Sequence, residues 1–246
     1  MQLIFTLLLL FVPVLLCGLL VFRFKVSDNG LKLILAFSAS YLLALSFLHL
    51  LPEVFGKGDE HIGIFILIGF FIQLFLDFFS TGIEHGHIHV HHHTNKKFPL
   101  AILFGLYFHS FLEGLPISDI VQAQHQEHSI LGFKNSLVVG LTLHNIPISV
   151  AFVTMLQQMH VSKKNSIIYL VLFAAMAPLG SCFSGLLHVL GISNIDYIIQ
   201  ISLGIVVGIF LHISTTIMFE SSNNHKYNFV KMATIIAGSV VAYLIS

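Results

Sequence analysis

Tryptophan is absent from this chain of 246 residues, cysteine occurs twice, and charged side chains make up only 9%. Cys17 and Cys182 lie far apart in apolar stretches; that spacing excludes a zinc knuckle or a redox pair, and both read as small buried hydrophobes. Eleven Lys and Arg balance eleven Asp and Glu, and the basic residues come in ones and twos, so there is neither a basic face for nucleic acid nor an acidic tail. No Walker-type phosphate loop occurs, which removes direct nucleotide drive. The shortage of charge decides the class. A soluble chain carries about 25% charged residues, whereas here 9% charge meets 56% hydrophobic content, the balance of an integral membrane protein whose partner is the lipid bilayer.

A helix crossing a hydrocarbon core of about 30 Å needs roughly 20 apolar residues. Eight runs meet that length, at about 3–22, 33–52, 62–83, 98–118, 135–159, 165–190, 197–219 and 227–245, so residues 1–246 read as one all-α transmembrane domain. The eighth run contains Lys231, whose ammonium can snorkel from a helix end to the headgroups. The first has no basic residue before it and no small-residue cleavage pattern after it, and reads as a retained helix.

Cytoplasmic loops accumulate Lys and Arg. Nine of the eleven basic residues, Arg23, Lys25, Lys32, Lys96, Lys97, Lys163, Lys164, Lys226 and Lys231, fall on one side of the eight spans. Lys57 and Lys134 share the other side with Asp59, Glu60, Asp119, Glu127 and Asp196. Both termini are therefore expected outside the cytoplasm, and the regular alternation supports the count of eight.

Against this background stand sixteen histidines. The longest polar insertion, residues 84–97 on the expected cytoplasmic side, holds His85, His87, His89, His91, His92 and His93, six histidines in nine residues. Neutral imidazoles at that density bind borderline metals such as zinc, and their irregular spacing makes a loose, fast holder. Solubilising loops ordinarily use Ser, Asn, Gly and Lys instead.

Within a span, an ionisable side chain costs on the order of 2.5–3.5 kcal/mol even on a lenient scale, so each is a functional candidate. Span four places His109 and Glu113 at i and i+4 on one helix face, and span five brings His144 to a similar depth. Two imidazoles and a carboxylate are the ligand set of an open zinc-type site, with Ser110 and Asn145 as weaker oxygen candidates. Pro116 and Pro147 follow the ligands, and each is expected to free a carbonyl one turn earlier. The competing reading is a hydrogen-bond network that merely joins two spans. His49 and Glu53 at the outer end of span two are candidates for an entrance and His212 near the inner end of span seven for an exit, while Asp77 in span three is a pathway candidate that either relays protons or bonds a neighbouring helix. Gly204 and Gly208 form a small-xxx-small packing face.

Taken in order, His49-Leu50-Leu51-Pro52-Glu53, the histidine tract, His109-Ser110-Phe111-Leu112-Glu113-Gly114, His144-Asn145-Ile146-Pro147 and Ala177-Pro178-Leu179-Gly180 resemble the ZIP zinc/iron permeases across most of the chain. The resemblance implies import into the cytoplasm, a metal site between spans four and five, and an inverted-repeat (3+2+3) ZIP-like architecture in which spans one to three relate to six to eight. One departure matters. Where the family pattern continues Pro-Glu-Gly, this chain has Pro147-Ile148-Ser149, so the carboxylate able to bridge two metal positions is missing. One Glu and two neutral imidazoles leave a bound divalent ion with formal charge +1 in low dielectric, which predicts a single, weaker site that favours zinc over harder ions.

The leading expectation is a secondary transporter, not an enzyme, that moves Zn²⁺ as substrate and needs no cofactor. A non-transporting metal sensor derived from a permease is the alternative. A di-iron membrane hydroxylase would need denser histidine boxes at the membrane edge, and a cation-diffusion exporter would need six spans and a soluble domain. A short chain with small loops suits a bacterial inner membrane, and a homodimer is the candidate assembly.

Overall fold

The computed structural model describes residues 2–56, 60–80, 100–117, 133–220 and 229–245. The histidine tract of residues 84–97 lies outside the described residues, as do Lys57, Asp59, Asp119, Glu127 and Lys226.

The described residues form helices and no strand, with one helical rod in each expected run: α1 (Gln2–Leu20), α2 (Asp28–Gly56), α3 (Ile62–Ser80), α4 (Leu100–Gly114), α5 (Phe133–Gln158), α6 (Lys163–Val189), α7 (Ile195–Glu220) and α8 (Phe229–Ile245). Six have the length and hydropathy to cross a membrane; α4 and α8 are apolar but shorter, at 15 and 17 residues. Large apolar side chains cover the outside, among them Phe78 and Phe229, each 80% exposed, as a lipid-facing surface requires.

Local chemistry sets the ends. α2 starts at Asp28, earlier than hydropathy suggests, because the Ser27 hydroxyl accepts the Gly30 amide at 3.2 Å and caps the helix. Ser162 does the same for α6 through the Asn165 amide. α5 closes with His160 at φ 56° and the Val161 amide reaching back to the Leu156 carbonyl, a left-handed helix cap.

α2 contains a π-helical turn at Ser46–Leu50, where the Leu51 amide bonds the Ser46 carbonyl. Pro52 follows directly. A proline ring crowds the carbonyl four residues back, and a widened turn relieves that conflict.

The helices associate in two fours. α3 runs along α7 and α2 along α8, with α2 also on α7; α1 packs on α5 and α6, and α4 on α6. The two sets meet where α2 contacts α5 and where α3 contacts α4.

Glycines bring helix backbones into direct contact. A Cβ on Gly69 would run into the Ile205 carbonyl of α7, and one on Gly208 into the Ile66 carbonyl of α3, so this pair of backbones touches. Gly114 and Gly180 repeat the arrangement between α4 and α6, against the Ala177 and Phe111 carbonyls. The expected Gly204–Gly208 face thus packs on α3, with Gly208 making the tight contact and Gly204 meeting the softer Ile62 side chain.

Three local expectations are corrected. Cys182 is exposed on α6 and Cys17 only half-buried, since both sit on outward-facing positions of apolar helices. Lys231 does not snorkel outward; it is 8% exposed and donates from Nζ to the Met218 carbonyl at 3.1 Å. That carbonyl belongs to the last turn of α7, where no intrahelical donor exists and the helix dipole favours a cation. Pro116 does not break α4 but ends it: the helix stops at Gly114, and the Leu112 carbonyl accepts the Leu115 amide at 3.1 Å. Pro147, in contrast, lies inside a helix that continues to Gln158.

Candidate metal centre

The i, i+4 spacing on α4 stacks His109 over Glu113 on one face, and that face meets α5 where His144 projects. All three side chains are completely buried. His109 Nε2 lies 3.2 Å and His144 Nε2 4.0 Å from the same Glu113 Oε1. The two imidazoles stand edge to face at 81°, their centroids 6.0 Å apart. One ligand atom from each residue lies within 4.8 Å of the others, and no other group of three or more His, Cys, Asp and Glu is drawn together in this way among the described residues. The corners of a zinc tetrahedron are about 3.3 Å apart at metal–nitrogen distances of about 2.0–2.1 Å, so the His109–Glu113 pair already has that spacing and His144 needs only a small inward shift.

Asn145 completes the cluster. Its Nδ2 donates to Glu113 Oε2 at 3.2 Å and to the Leu141 carbonyl at 3.1 Å. Both partners are acceptors, so the amide hydrogens are committed and the buried Oδ1 is left with no hydrogen-bond partner among the described residues. Ser110 is buried at the position after His109, about 100° further round the helix. Ile148, one turn beyond His144, is completely buried in the apolar core and offers no donor atom of its own.

A fifth buried polar side chain, uncharged, joins the cluster from α3. Gln73 on α3 is completely buried; its Oε1 lies 2.9 Å from His109 Nδ1, and its Nε2 donates to Asp77 Oδ1 at 2.8 Å. Asp77 Oδ2 in turn lies 3.3 Å from His212 Nδ1 on α7, and the Phe70 ring meets the His212 imidazole edge-on at 4.8 Å. A continuous polar chain therefore runs from Asn145 and His144 through Glu113, His109, Gln73 and Asp77 to His212. Gln73 and Asp77 are themselves an i, i+4 pair, the signal available in the sequence.

His49 and Glu53 lie on α2, towards the end of that helix. His49 sits half-buried in the π-turn of α2, and Glu53 is exposed one turn later. The Gln200 side chain of α7 holds this end of α2 by donating to the Val54 carbonyl at 3.3 Å.

A buried cluster of two imidazoles, a carboxylate and an amide oxygen suits a borderline divalent cation of the zinc type. The comparison with protein families agrees. No curated protein matches the chain significantly. Matches to the ZIP zinc transporter family cover residues 1–101 and 98–246, and so extend over all eight helices and the whole metal centre. The chain belongs to the ZIP family, integral membrane transporters of divalent metal ions.

Proposed function

We propose that the chain carries Zn²⁺ into the cytoplasm and that the ion rests on His109, Glu113 and His144 as it crosses, with Asn145 Oδ1 as an auxiliary ligand. The observation that carries this reading is the convergence of three wholly buried ligand atoms within 4.8 Å on adjacent helices. A network that only tied two helices together would satisfy itself; among the described residues this one leaves the buried Asn145 carbonyl oxygen without a hydrogen-bond partner. With the termini outside and the helices related as a 3+2+3 inverted repeat, α3 and α7 run inward, so Asp77 and His212 lie on the cytoplasmic side of the centre. They then serve as the departure point, the histidine tract of residues 84–97 receives the ion, and His49 and Glu53 line the approach. The setting is a bacterial inner membrane.

One carboxylate against a divalent ion leaves a residual positive charge, which is costly in low dielectric and favours release. A single ion per chain follows. Both imidazoles bind metal only when neutral, so protons compete and occupancy falls on acidification.

Zinc uptake into proteoliposomes holding the purified chain tests the assignment. Saturable flux that disappears in Glu113→Ala supports it; normal flux in that variant refutes it. The missing carboxylate at Ile148 favours one other reading, a sensor, and metal binding without any flux in the natural chain would select it.

A further inference from the structure

We propose that Gln73 is a positioning residue that decides which ring nitrogen of His109 faces the ion. The inference rests on the metal-site reading above and concerns a residue outside the ligand set. A neutral imidazole has one N–H and one lone pair, and only the lone pair binds metal. His109 has an acceptor within reach on each side: Glu113 Oε1 at 3.2 Å from Nε2, and Gln73 Oε1 at 2.9 Å from Nδ1. Left to Glu113 alone, the ring would put its hydrogen on Nε2 and close that nitrogen to a cation.

The Gln73 amide tips this balance, and its orientation is not arbitrary. An ionised Asp77 has no hydrogen to give, so its Oδ1 at 2.8 Å selects the NH₂ end of Gln73. The amide oxygen is thereby turned to His109 and accepts a hydrogen from Nδ1. With Nδ1 protonated, the Nε2 lone pair and Glu113 Oε1 face one point as two electron-pair donors. Their 3.2 Å separation matches the edge of a zinc tetrahedron, about 3.3 Å. Asp77 is held in turn by His212 at 3.3 Å, so a group on α7 reaches the metal ligand through two intermediates. Orientation of a histidine ligand through its far nitrogen typically changes metal affinity by about 10–100-fold.

The test uses the full chain in lipid nanodiscs, with two readouts. The ring ¹⁵N signals of His109 in metal-free protein, assigned by difference from His109→Cys, report the hydrogen directly: on Nδ1 in the natural chain, moved to Nε2 in Gln73→Leu. Co²⁺ absorption titrations report the consequence. Gln73→Leu should lower affinity about 10–100-fold in the natural chain. It should have no effect in the His109→Cys background, because a thiolate has no tautomer to choose. The exchanged pair Gln73→Glu with Asp77→Asn, in which the carboxylate accepts from His109 and the new amide donates to it, should restore affinity. A hydrogen on Nε2 in the natural metal-free chain overturns the proposal. So does an equal loss from Gln73→Leu in both backgrounds, or a folded exchanged pair that stays weak. Failure of the natural chain to bind Co²⁺ overturns the metal-site reading instead, which the ring signals distinguish.

Discussion

Imidazole and carboxylate occur together twice along one polar chain, in different surroundings. His109, Glu113 and His144 are sealed, with no exposed surface, whereas His212 and Asp77 keep 6% and 14% of their side chains accessible. The sealed group offers three ligand atoms plus an amide oxygen; the marginal pair offers two groups that already engage each other at 3.3 Å. A cation needs several ligands to replace its water in a dry interior and far fewer where water still reaches it. The proposed division of labour, holding at the centre and letting go at the margin, follows from that difference in the number of ligand atoms.

The sharpest way to break the comparison is Glu113→Ala. It removes the oxygen shared by both histidines, and Co²⁺ affinity should fall by more than the roughly 100-fold that an outer partner can cost, with saturable uptake abolished. Retained tight binding would mean that the centre lies elsewhere. Next in size, Ile148→Glu restores a second carboxylate beside His144 and should tighten binding roughly tenfold, about 1.4 kcal/mol, while slowing release. Unchanged affinity, measured by competition against a chelator, would show that this flank does not face the ion. His212→Ala should reduce maximal flux roughly tenfold, with only a modest change at the centre, because the imidazole it removes lies 3.3 Å from the Asp77 carboxylate and two residues away from any ligand. Equal losses of flux and affinity would erase the distinction between the two groups. The smallest effect belongs to Tyr41→Phe, which deletes the bond from the phenol to the Ser136 carbonyl at 3.0 Å, between the two sets of helices. It should cost about 1 kcal/mol of stability and leave Co²⁺ titrations unmoved.

Much of this arrangement is legible in residue order. Hydropathy finds the eight helices because lipid admits little else, and i, i+4 spacing by itself puts His109 and Glu113 on one face. The failures have physical causes. A window tuned to apolar length overlooks Ser27 and Asp28, polar residues that begin α2 by capping it. The π-turn at Ser46–Leu50 has no composition of its own and is set by what Pro52 forbids. Lys231 finds the bare carbonyls of α7, a partner remote from hydropathy reasoning. Gln73 escapes because an amide carries no charge, although burying one without partners is also expensive.

The reciprocal crossings at Gly69 with Gly208 and at Gly114 with Gly180 bear on how such a fold could be reconstructed from related sequences. At each, the obstacle to a larger residue is the opposite helix's main chain, which no compensating substitution can shrink. Contacts between side chains leave correlated changes as lineages diverge; these contacts permit no change to correlate. These backbone-to-backbone helix pairings are therefore ones for which covariation should be silent, and invariance at both positions would be the trace they leave.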